Sequence, residues 1–84
     1  MFPLVEYMAI AEQALGKHLL AINHFQKLAC LPRVKPIWYM QLALSLERAR
    51  LSMDARQNYQ TFLALNTDPE LQQFAQQRST ILAG

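Results

Sequence analysis

The chain has 84 residues, 52% of them apolar and 17% charged, with a formal net charge of +2. That balance excludes intrinsic disorder, which needs low hydrophobicity and high charge, and it falls short of the clustered basic surface of a nucleic-acid binder. A single cysteine, Cys30, excludes a disulfide framework or a cysteine-based zinc site within one copy.

Helix formers fill the chain and β-branched residues are sparse, so an all-α fold is expected, with helices over about 4–15, 18–30, 36–49, 52–65 and 69–82. The first follows Pro3 and should stop at Gly16, a residue suited to the left-handed turn that ends helices. The second carries His18, His24 and Cys30, with Cys30 expected as a buried, inert thiol near its end. The third opens at Pro36, which fits a first helical position. The fifth has the clearest start, Asp68-Pro69-Glu70, with a capping acid, a proline and an acid in the first turn. Its residues Leu71, Phe74, Ala75, Arg78, Ile81 and Leu82 recur on one face, opposite Gln72, Gln73, Gln76, Gln77 and Ser79. One buried and one wet face is what a closing helix needs. Connections this short make consecutive helices antiparallel. No apolar run approaches about 18 residues, and the first residues lack the basic region of a signal peptide. No membrane insertion by this segment is therefore expected, and the compartment stays open between cytoplasm and periplasm.

Sliding the sequence by 34 residues superposes Met8 on Leu42, Ala9 on Ala43, Ile10 on Leu44 and Leu15 on Ala49. It also superposes Ala21 on Ala55, Phe25 on Tyr59, Leu28 on Phe62 and Leu31 on Leu65. Small falls on small and aromatic on aromatic, across both helices of each half. Two helical hairpins cut to one steric template are expected.

On these residues the chain resembles the tetratricopeptide repeat family, whose unit is a 34-residue helix–turn–helix. Met8-Ala9 and Leu42-Ala43 fit the large–small pair of the first helix; Ala21, Phe25, Ala55 and Tyr59 fit the second. An alanine where two helices cross lets their axes approach, and the aromatic four residues on fills the gap beside it. Some positions depart from the pattern. Arg50 replaces the glycine of the second turn, Tyr39 rather than Trp38 takes the aromatic position, Glu12 replaces a bulky residue, and Leu28 and Phe62 exceed the usual alanine. The resemblance implies a single domain over 1–84: repeats at about 5–34 and 37–67, a capping helix at about 69–82, and a right-handed α-solenoid. A narrower resemblance, through 38–47 and 71–78, is to the C-terminal repeats of biogenesis proteins of mannose-sensitive haemagglutinin-type pili.

Catalytic constellations are hard to assemble from these residues. His18 and His24 lie on different faces of one helix with no cysteine beside them, and are read as solvated or turn-lining. The carboxylates are dispersed, and two glycines cannot make a phosphate loop. Arg48 and Arg50 diverge around their helix, so no basic stripe for nucleic acid forms. No enzyme activity, cofactor or metal is expected.

The family resemblance instead implies a concave groove along the first helices of the repeats. Its lining positions fall on Glu6, Ile10 and Gln13, then on Ile37, Met40, Leu44 and Glu47. Chaperone-binding members hold a terminal carboxylate with basic and amide residues there, and Glu6, Ile10, Met40 and Leu44 cannot. An apolar groove suits an extended or helical apolar segment of a protein or peptide partner, with methionine adapting its shape. The same positions would alternatively pack beneath the last helix or a further repeat. Two repeats and a cap are few for a stack, so the chain is expected either to be a fragment of a longer protein or to pair with another copy or another protein. Self-association through the same face is the rival expectation. Phe2, Trp38 and Tyr39 are candidates for an uncovered edge.

Overall fold

A computed structural model of the chain describes residues 2–65 and 68–83, with side chains from Leu4 onward. Phe2 as a candidate edge and the last two residues expected in the second repeat therefore lie outside the description. Five helices follow one another: α1 (Phe2–Ala14), α2 (His18–Ala29), α3 (Pro36–Arg48), α4 (Ser52–Leu65) and α5 (Pro69–Ala83), with no strand among the described residues. The expected bounds agree within two residues. The Asp68 carboxylate accepts from the backbone N–H of Glu70 at 3.0 Å and of Leu71 at 3.4 Å, so the predicted cap of α5 is in place.

The two hairpin turns are built alike. After α1, Leu15 N–H bonds Ala11 O, Gly16 N–H bonds Gln13 O, and Lys17 N–H reaches back to Glu12 O at 2.8 Å. After α3 the same three bonds recur 34 residues on: Ala49 to Ser45, Arg50 to Glu47, and Leu51 to Leu46 at 2.9 Å. This double closure satisfies the last carbonyls of each helix and requires a left-handed residue just past its end. Gly16 supplies it at φ 79° and Arg50 at φ 66°. The arginine that breaks the sequence pattern thus keeps the backbone pattern, at a steric cost glycine would not carry. Arg50→Gly is expected to raise stability by about 0.5–1 kcal/mol, and Gly16→Ala to lower it by about 1 kcal/mol. No neighbouring atom lies within 4 Å of the added methyl at Gly16, so only the backbone term acts there. Urea midpoints of both variants check the signs.

Burial follows the same register. Ala9, Ala21, Phe25 and Leu28 are sealed in the first hairpin, and Ala43, Ala55, Tyr59 and Phe62 in the second. Within these four superposed pairs the two members are equally buried, as one steric template demands. Trp38, Ile22, Leu42 and Leu46 fill the space between the hairpins, and Ala75 continues the alanine series onto α5. Each helix packs chiefly on its sequence neighbours, α2 against α1 and α3, α4 against α3 and α5. The result measures 35 × 26 × 19 Å, about two helix diameters in its thinnest direction.

Four side chains differ from the sequence reading. Ser79, expected on the wet face of α5, is buried, while Phe74 and Ile81 on the expected apolar stripe are 38% and 60% exposed. The buried line of α5 runs through its smallest residues, Ala75 and Ser79 one turn apart, because close approach to α4 leaves no room for larger ones. Cys30 is exposed: it is the C-cap residue of α2, beyond the last core position at Leu28.

Candidate interaction surface

The odd-numbered helices are bridged into a row by side-chain hydrogen bonds. Trp38 Nε1, on a buried indole that must place its N–H somewhere, donates to Glu6 Oε2 at 2.7 Å. Lys35 Nζ reaches Glu6 Oε1 at 3.2 Å while lying 5.7 Å from the Trp38 ring centre. The indole hydrogen bond, more than the ammonium, holds the Glu6 carboxyl below its ordinary value of 4.5 against the opposing effect of burial. About two turns along α1, Gln13 Nε2 donates to Gln41 O at 2.8 Å and to Ser45 Oγ at 2.7 Å.

The position 34 residues beyond Gln13 is Glu47, and it performs the same bridging toward α5. Its carboxylate accepts from Arg78 Nε at 3.2 Å and is also paired with Arg78 Nη2. In addition it accepts from the Tyr59 hydroxyl at 2.9 Å, so one carboxylate ties α3 to both α4 and α5. Burial pushes the Tyr59 hydroxyl up to about 12, and its ring meets Phe74 edge-on at 6.3 Å and 72°. Phe25, in the equivalent place of the first hairpin, has no hydroxyl, which leaves Gln13 turned wholly to α3. On the other side of α1, Glu12 is 2.6 Å from His24 Nδ1 and joins α1 to α2. His24 is therefore a paired interhelical group rather than the solvated one expected. His18 Nδ1 is buried and makes no hydrogen bond among the described residues.

The seven residues expected to line a groove divide into three kinds. Ile10 is 41% exposed, and Ile37 and Leu44 are half-buried along the row of odd helices. Glu6, Gln13 and Glu47 lie on the same row but are engaged in the bridges just described. Met40 is buried among the core residues, with only 8% of its surface left to solvent, and is closed to any partner. Of the remaining expected edge, Trp38 is core and Tyr39 half-buried.

A hollow of about 220 Å³ opens between α3 and α5, walled by Leu44, Phe74 and the paired Glu47 and Arg78, with Arg48 at its side. Sequence reading placed Leu44 and Glu47 here but missed Arg48, Phe74 and Arg78. The available signal was Arg78 itself, a lone cation on an apolar stripe, which requires an acid within reach on a neighbouring helix. A second hollow, of about 230 Å³, lies at the outer side of the first hairpin between Val5, Met8, Leu28 and Leu31, with His24 and Lys27 at its rim. Among the described residues no three His, Cys, Asp or Glu side chains converge, and no helix is long and apolar enough to cross a membrane. No family model, no curated protein and no solved structure matches the chain.

Proposed function

We propose that this is a protein–protein interaction module of the tetratricopeptide type, which receives a partner segment along the row α1–α3–α5. The observation that carries the proposal is the hollow between α3 and α5, where half-buried Leu44 and partly exposed Phe74 flank two arginines. Glu47 neutralises Arg78, so the net charge offered to a visitor is that of Arg48. The partner is a segment that inserts an apolar side chain between Leu44 and Phe74 and sets a carboxylate toward Arg48. Ile10 and Ile37 extend the apolar track, while Gln13 and Glu47 hold its walls at fixed spacing. The repeated turn hydrogen bonds and matched burial at a 34-residue shift support the family reading. The resemblance to pilus biogenesis proteins makes a bacterial pilus or secretion assembly the setting we propose for the partner.

The test is capture of partners by immobilised chain, compared among wild type, Leu44→Glu and Arg48→Glu. Leu44→Glu is expected to abolish capture, and Arg48→Glu to weaken it at least tenfold and remove its salt dependence. Retention of wild-type capture by both variants, with helical circular dichroism intact, would refute the groove. Met40→Glu is unsuitable as a probe, because it buries a charge in the core and unfolds the chain.

A further inference from the structure

We infer that the outward face of α1 is a self-association surface, on which two copies pair antiparallel through Leu4, Met8, Ala11 and Leu15. The repeat supplies an internal control for this face. Thirty-four residues on, the same four positions of α3 are Trp38, Leu42, Ser45 and Ala49, and α2 packs against that helix. Trp38 and Leu42 keep 3% and 4% of their surface, whereas Leu4 and Met8 keep 66% and 42%. One stripe is therefore a finished helix–helix interface and its counterpart is bare.

The choice of a second copy follows from what a second copy has to offer. Covering α1 as α3 is covered would need a free face of the α2 kind. On another copy the relevant face of α2 is spent on α3 and that of α4 on α5, so stacking in the register of the repeat has no donor. The α1 stripe itself is free and self-complementary. Its spacing of four, three and four residues is that of a two-helix seam. Run antiparallel, it sets Leu4 against Leu15 of the other copy and the large Met8 against the small Ala11. The outward positions from Leu4 to Leu15 carry no charge, so apposing them brings no like charges together. Beside the seam, the hollow bounded by Met8 and Leu31 and the half-exposed Leu20 add apolar surface from α2. The exposed parts of Leu4, Tyr7, Met8, Leu15 and Leu20 amount to roughly 600 Å² per copy, hence about 1,200 Å² per pair, the lower bound of a specific interface. The seam and the Leu44 hollow lie on different helices, so either can fail without the other.

Sedimentation velocity of the whole chain from about 1 to 300 µM tests the pairing. A monomer–dimer equilibrium is expected, with the dissociation constant raised at least 50-fold by Met8→Glu and by Leu15→Glu. Met53→Glu, at a position 79% exposed but on α4, should leave it unchanged. In a Cys30→Ser background, mixing Met8→Cys with Ala11→Cys protein should give the mixed disulfide in excess over either homodimer. A monomer throughout the concentration range, equal weakening by Met53→Glu, or no excess of the mixed disulfide would overturn the proposal.

Discussion

Phe25→Ala should lower folding stability by about 3–5 kcal/mol, and Tyr59→Ala by about 1 kcal/mol more. Both rings are fully buried, Phe25 on α2, which packs against α1 and α3, and Tyr59 on α4, which packs against α3 and α5. Removing either leaves a cavity inside the single core cluster to which both rings belong. Neighbours that are already close-packed relax only partly into such a void, so the cost stays at the upper end for the substitution. The additional loss at Tyr59 comes from its hydroxyl bond to Glu47 and its edge contact with Phe74. A domain of this size holds only about 4–12 kcal/mol in total, so either variant should be largely unfolded in moderate urea. Denaturation followed by far-ultraviolet circular dichroism checks both. A cost below about 1 kcal/mol for one ring and a full cost for the other would show that the two hairpins are not packed on one template.

Glu47→Ala is expected to cost about 2–3 kcal/mol, because the change strands two donors at once. Tyr59 keeps a buried hydroxyl with no acceptor, and Arg78 loses the partner that permits a cation on the inner side of α5. The effect should be non-additive. Tyr59→Phe costs about 1 kcal/mol in the native background, yet in the Glu47→Ala background it should be neutral or stabilising, since it removes the stranded group. The pH dependence carries a second signature. The Tyr59 hydroxyl titrates at about 12 in the folded chain against 10.0 ordinarily, so the proton is held more tightly folded than unfolded. That contribution to stability is complete below pH 10 and is lost as pH rises toward 12. Tyr59→Phe should flatten this alkaline decline, and urea midpoints measured between pH 8 and 11.5 would reveal an unchanged slope if the assignment were wrong.

Helix positions were legible in the sequence because each is fixed by local chemistry: the proline starts at Pro36 and Pro69, the Asp68 cap, and the apolar 3.6-residue period. The equal burial of Ala21 and Ala55, and of Phe25 and Tyr59, was legible from their common spacing. Groove lining was harder to read. Gln13, Met40 and Glu47 stand at positions facing along the row of odd helices, but a position on a helix does not say how close the next helix comes. That distance puts Met40 in the core and turns Gln13 and Glu47 inward to bond Ser45 and Arg78. The pairing of Glu12 with His24 was missed for the same reason, since the two residues are on different helices and neither has a local partner to advertise it. Arg50 misled in the opposite sense. Its side chain departs from the glycine that the turn prefers, while its backbone adopts the conformation regardless, because the three hydrogen bonds of that turn demand it.

That each helix rests mainly on the helices next to it in the chain has a kinetic side. Native neighbours are close in sequence, so little loop-closure entropy stands between the unfolded ensemble and the first stable pair, and acquisition of structure should be rapid for a protein of this length. Either hairpin can serve as the seed from which order spreads, and opening under thermal agitation begins at the two ends, where a helix has a companion on one flank only.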